Sequence, residues 1–315
     1  MNAPIAWRSR VERYLAYRRH HGFDLRIEAT QLASFARFAD EYGSAEHLTV
    51  ALAIAWAQAS KRVSPLTWAR RIDVLRGFAR FCLREDPATE IPPNELFGPA
   101  HRRLVPHIYT DAELTALLAA TAELKSYRGL RPATCRCVFG LLAASGLRIS
   151  EAVALTRTDV DLTENVLRIR EAKFHQQRWV PLHPSAAEAL SAYARQRDQL
   201  VSKAVCDRFF LRDDGHAINQ SGMLYALQTL CRQLGWRPRG DYAHHRLHDL
   251  RHTFIVRSTL RFYEQGVDLD QAILALSIYV GHAKVSDTYW YLTGIPELMA
   301  VAAERFQRYS QGATP

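Results

Sequence analysis

The chain has 315 residues, of which 48% are hydrophobic and 23% charged, an ordinary globular composition long enough for two domains. No run of about 18 apolar residues occurs, which excludes a membrane-spanning helix, and the opening residues MNAPIAWRSRVERYL lack the charge and apolar layout of a secretory signal. A net charge of +9 suggests a polyanionic partner, because Lys and Arg release the counterions condensed on a phosphate backbone, although many basic proteins bind no nucleic acid.

The first hundred residues read as helices alone. Leu32, Phe35 and Phe38 fall at helical spacing, with Gly43 as a C-terminal cap. Ser64 and Pro65 open the next helix as N-cap and first helical residue. Along it Trp68, Ile72, Leu75, Ala79 and Cys82 form one apolar face, and Arg76, Arg80 and Arg84 form a basic row on its flank. Lys61 and Arg62 stand just before it. Such a row is either a solvated face or a ridge that tracks phosphates.

Residues 86–108 contain five prolines and little periodicity, which suits a connection. Expected boundaries are a helical domain over 1–100, a linker over 101–108 and a second domain over 109–315. Thr110 and Glu113 suit a capping box. Helices are expected near 111–124 and 132–145, from 148, and near 184–199, 218–235 and 247–264, with an extended pair near 165–170 and 177–181. The fold class is therefore mainly α with a small β-sheet (α+β). The five scattered cysteines, with no C-x-x-C pair, suit reduced thiols in the cytoplasm. Cys135 and Cys137 diverge on a helix, a poor start for a zinc site.

Three segments carry chemistry. In ASGLRISEA, from Ala144, Gly146 breaks two helices and Arg148 begins the second, where its guanidinium can meet an anion or simply pair with Glu151. In HHRLHDLRHTF, from His244, His248, Arg251 and His252 share a helical face, joining a proton-transferring group to a phosphate clamp. A zinc site at His248 and His252 lacks both a glutamate after the first histidine and a third ligand. In VGHAKVSDTYWY, from Val280, His282 precedes two tyrosines, Tyr289 and Tyr291, whose ordinary use is packing.

Taken in order, G-L-R-x-S-E, H-x-L-R-H, G-H and a tyrosine nine residues further on resemble the tyrosine recombinase or phage integrase family over residues 110–309. The helical first hundred residues resemble that family's core DNA-binding domain more loosely. The resemblance implies six catalytic residues: Arg148, Lys173, His248, Arg251, His282 and Tyr291. Lys173 falls in the turn of the expected hairpin. Implied roles are phosphate binding by the arginines, proton relay by His248, a hydrogen bond from His282, general acid catalysis by Lys173 and nucleophilic attack by Tyr291. Tyr289 would pack inward or against a neighbour.

The resemblance further implies a 3′-phosphotyrosine intermediate formed without metal, ATP or other cofactor. The partners would be double-stranded DNA and three further copies of the chain in a tetramer on that DNA, with no membrane. The two domains would close on the duplex, Lys61, Arg62, Arg76, Arg80 and Arg84 contacting it. The helix from Pro296 to Tyr309 would dock onto a neighbour. YWYLTGIPEL, from Tyr289, adds a similarity to recombinases of mobile elements. The alternatives are strand relaxation of the type IB topoisomerase kind and a DNA-binding accessory protein that does not cut.

Overall fold

A computed structural model describes residues 7–42, 46–61, 63–101, 104–170, 177–201, 203–294, 300, 303 and 307. The chain divides into two compact units, Met1–Arg103 and Leu104–Pro315.

In the first unit, α1 (Trp7–His20), α2 (Arg26–Glu41), α3 (Val50–Gln58) and α4 (Pro65–Cys82) enclose one apolar core. Phe35 is its centre, meeting Trp7, Trp56 and Phe78 edge-to-face with ring centroids 5.5, 5.4 and 6.0 Å away. Such pairs contribute about 0.5–1.5 kcal/mol each beyond the area they bury. α4 starts as its sequence predicts, with Ser64 extended at the N-cap and Pro65 at the first helical position, but the Ser64 side chain makes no capping bond. Ile72, Leu75, Ala79 and Cys82 are buried and Trp68 partly so. Gly43 lies outside the described residues.

In the second unit, Val105 exchanges hydrogen bonds with Asp241, and His107 and Tyr109 are buried. α5 (Asp111–Ala120) begins with the expected capping box: the Thr110 hydroxyl accepts from the Glu113 amide, and the Glu113 carboxylate accepts from the Thr110 amide. α6 (Leu130–Ser145) is the central helix, packed between α8 (Pro184–Leu200) and α10 (Leu247–Glu264). The elements between are α7 (Ile149–Ala154) and an antiparallel sheet of β1 (Val160–Asp161), β2 (Val166–Ile169) and β3 (Arg178–Pro181). Pairing of Ile169 with Arg178 and of Leu167 with Val180 turns Leu167, Ile169 and Val180 into the core and Trp179 outward. The hairpin expected from the sequence is thus extended by β1. The unit finishes with α9 (Gln220–Gln233), α11 (Leu269–Val280) and α12 (Ser286–Gly294). Cys135 and Cys137 are buried free thiols, each pushed up to about 12 by burial.

Candidate active site

Gly146 ends α6 in the left-handed region, with φ 63°. A Cβ there would stand 2.4 Å from Phe254 Cδ1, so the position excludes a side chain on steric as well as conformational grounds. The turn seats Arg148 at the N-cap of α7, with Glu151 at its third position. Arg148 Nη1 donates to Glu151 Oε1 at 2.8 Å, and Nη2 donates to the Gly281 carbonyl at 2.6 Å.

On α10, Arg246 at the N-cap pairs with Asp249. Two residues on, the face of His248, Arg251 and His252 begins. Arg251 is 1% exposed and donates to the carbonyls of Gly146 at 2.6 Å and Val280 at 2.9 Å. Burial and the neighbouring Arg148 lower it to about 10, which leaves the guanidinium charged at neutral pH. His248 is solvent-exposed, with Arg251, Arg246 and Arg148 near it. Burial, then Arg251, Arg246 and Arg148, lower it to about 4. The rings of His248 and His252 meet edge-to-face, centroids 4.5 Å apart.

The end of α11 organises the arginines. Arg178 donates from Nε to the Tyr279 carbonyl at 3.1 Å, Arg251 to Val280 and Arg148 to Gly281. Three guanidiniums from β3, α10 and α7 therefore meet successive carbonyls at the negative end of one helix dipole. Glu151 joins two of them, accepting Arg148 and both terminal nitrogens of Arg178. Burial pushes the Glu151 carboxyl up, but the hydrogen bonds from Arg178 and the charges of both arginines outweigh it, so its pKa lies below the ordinary value. Gly281, with φ 70°, closes the helix, and a Cβ on it would stand 2.7 Å from Arg178 Nη1.

His282 follows that glycine, its Nδ1 2.7 Å from the Thr288 hydroxyl. Burial, then Arg251 and Arg148, lower it to about 3. Tyr291 is 3% exposed and its hydroxyl is hydrogen-bonded to His252 Nδ1. Tyr289 points elsewhere. It is exposed and donates to Asp270 Oδ1 at 2.6 Å, so of the two placements expected for it, inward or against a neighbour, the inward one does not hold. That bond to a carboxylate raises its pKa.

Five of the six expected site residues, Arg148, His248, Arg251, His282 and Tyr291, thus gather around the end of α11. Lys173 lies outside the described residues, as do Arg62 and most of the segment from Pro296 to Tyr309. In the first unit, Lys61 and Arg80 are exposed. The basic row does not run along one helix: α4 ends at Cys82, and Arg84 lies beyond it over the Tyr17 ring. Arg76 is largely covered, its side chain 17% exposed and 3.8 Å from Asp73. Three residues outside the expected catalytic six stand in the site: Glu151, Arg178 and His252. For His252 the signal was its place on the His248 face. For Arg178, inside REAKFHQQR, no local signal exists, because its partners are 27 and 101 residues away. Among the described residues no group of three or more His, Cys, Asp or Glu side chains is arranged to hold a metal ion, and no helix is long and apolar enough to cross a membrane.

A mainly helical unit with a small sheet, gathering two arginines, three histidines and a buried tyrosine around the end of one helix, has the build of a site-specific recombinase of the tyrosine type. Residues 108–294 match the phage integrase family, and the chain belongs to it. It is 39% identical over 306 residues to the putative integrase/recombinase y4rB of Sinorhizobium fredii, covering 96% of this chain and 97% of that one. It is 31% identical to the tyrosine recombinase XerC of Chlamydia caviae over 71% of this chain and 66% of the other. The fold is shared with the Tn1549 transposon integrase, solved in complex with transposon right-end DNA, at a TM-score of 0.65 and 18% identity, covering 95% and 99% of the two chains.

Proposed function

We propose that this recombinase cleaves and rejoins double-stranded DNA through a 3′-phosphotyrosine on Tyr291, without metal or ATP. The observation that carries the reading is the Tyr291 hydroxyl held by a histidine one residue from Arg251, beside a second arginine, Arg148. A tyrosine hydroxyl has a pKa near 10 and is a poor nucleophile toward an anionic diester, so the site must offset phosphate charge and move protons. Arg148 and Arg251, held on the Gly281 and Val280 carbonyls, bind the non-bridging oxygens and offset charge in the pentacoordinate transition state. His282 donates a hydrogen bond to the phosphate and His248 relays the tyrosine proton. Lys173 protonates the departing 5′ oxygen. The ester keeps the bond energy, so religation needs no external source.

The first unit acts as the core DNA-binding domain, and exposed Lys61 and Arg80 are suited to phosphate contact. The Tn1549 relative, a transposon integrase bound to transposon DNA, supports DNA as partner and a mobile element as source of the site. Exchange between two duplexes takes four active sites, hence a tetramer on DNA, assembled in the cytoplasm through the segment from Pro296 to Tyr309.

A nicked duplex that traps the cleaved strand tests this. Wild-type and Tyr289→Phe proteins should form a covalent adduct, and Tyr291→Phe should bind DNA and form none. An adduct peptide mapped to Tyr289 overturns the assignment. Strand exchange between two short duplexes separates recombination from supercoil relaxation.

A further inference from the structure

His252 is in direct contact with the proposed nucleophile. It lies one helical turn after His248 on α10, its ring centroid is 5.4 Å from that of Tyr291, and its Nδ1 shares a hydrogen bond with the tyrosine hydroxyl. We infer that His252 Nδ1 is the first acceptor of the Tyr291 proton, a catalytic base in its own right, with His248 edge-on behind it as the next station. The inference rests on the reading that Tyr291 attacks the phosphate.

Three features suit the ring to the task. It is neutral: burial, then His248, Arg246 and Arg251 on its own helix and His282 from the turn after α11, hold the imidazole to about 2. In the neutral tautomer that carries its proton on Nε2, Nδ1 holds a lone pair and the Tyr291 hydroxyl is its donor. The tyrosine is 3% exposed and wedged among Ile255, Val256, Leu276 and Val280, so bulk water competes little for the proton. Lastly, Arg251, one of the charges that lower His252, is offset once a phosphodiester brings a negative charge beside it. Substrate binding itself therefore raises the basicity of the ring, which ties activation of the nucleophile to the presence of DNA.

The step balances. The Tyr291 O–H bond breaks and its proton moves to the Nδ1 lone pair. An oxygen lone pair forms the new O–P bond, and the P–O5′ bond breaks with its electron pair on the 5′ oxygen, which takes a proton from the general acid. On religation the imidazolium returns its proton to the tyrosine oxygen.

Two variants test it in single-turnover cleavage of the nicked duplex between pH 6 and 10. His252→Ala removes the base. His252→Asn keeps an acceptor near the position of Nδ1 but cannot take up a proton. Both should bind DNA within about two-fold of wild type and cleave about 100-fold more slowly at pH 7, the lower end of what a general base contributes. The defect should shrink as pH rises toward 10, because greater ionisation of the tyrosine lessens the need for a base. Added imidazole should accelerate His252→Ala at least about ten-fold at pH 7. A wild-type rate in His252→Asn at pH 7 would reduce His252 to a hydrogen-bonding prop, and a defect that stays flat with pH would make it packing; either overturns the inference. Tyr291→Phe, run alongside, keeps the two readings apart. An adduct in that variant defeats the nucleophile assignment, whereas none there combined with wild-type cleavage by His252→Ala defeats only the role of His252.

Discussion

Arg178 and Glu151 form a bidentate ion pair, Nη1 on Oε1 at 2.9 Å and Nη2 on Oε2 at 2.8 Å, that joins β3 to α7 beneath Arg148. The carboxylate side chain is 2% exposed and the guanidinium 12%, so the pair is screened little by solvent. It fixes the carboxylate that in turn fixes Arg148.

Breaking this pair should cost stability and activity together. Removing one partner of a buried pair costs about 3–5 kcal/mol, and Arg148 remains on Glu151, so Arg178→Ala should lose about 3 kcal/mol in denaturant unfolding. The depressed Glu151 carboxyl also sets a pH dependence. Its contribution is complete above the unfolded value of 4.5 and is lost as pH falls toward and through the lower folded value. Glu151→Gln should therefore flatten the loss of stability below about pH 4.5. An equally steep acid limb in that variant would assign it to other carboxylates.

Two glycines with positive φ separate conformation from crowding. Gly235, φ 71°, has nothing within 4 Å of an added Cβ, so Gly235→Ala should lose only the left-handed penalty of about 1 kcal/mol. Gly146→Ala must also displace the Phe254 ring, adding about 1–3 kcal/mol, and shifts the carbonyl that holds Arg251. We expect it to lose cleavage even where it remains folded by circular dichroism. Equal stability in the two variants would show that Phe254 yields freely.

Lys173 is tested through the leaving group. Lys173→Ala should slow cleavage of ordinary DNA by about 100-fold or more. A substrate with sulfur at the 5′ bridging position should largely recover, because a thiolate leaves without a proton. Equal defects on both substrates would leave Lys173 a strand-positioning role.

Cleavage of a cognate site should proceed unchanged in excess EDTA, since two arginines offset the phosphate charge. Activity lost to the chelator and restored by magnesium or zinc would sink the mechanism.

In the first unit, exposed Arg80 and covered Arg76 should behave differently. Arg80→Ala should weaken binding across unrelated DNA sequences and reduce the slope of log affinity against log salt by about one. Arg76, paired with Asp73, should change that slope little. An unchanged slope for Arg80→Ala returns it to the solvated surface.

What the sequence determined by itself is local. Helical periodicity fixed α4 and α10, the Thr110 and Glu113 pair fixed the start of α5, and motif order singled out Arg148, His248, Arg251, His282 and Tyr291 as candidates. Periodicity and capping act within a few residues, where backbone geometry alone sets which side chains share a face. Tertiary structure decided the rest. Arg178 reaches Glu151 and Tyr279, Arg251 reaches Gly146 and Val280, and His252 reaches Tyr291, each contact spanning 27 residues or more. Spacing along a chain carries no information about such pairs, because their distance is set by how α6, α10 and α11 pack around a common core. The same packing separates the two tyrosines. Two residues apart on one short helix, Tyr291 turns into the apolar cluster under α10 while Tyr289 faces solvent and Asp270, a choice made by the surface that α12 meets.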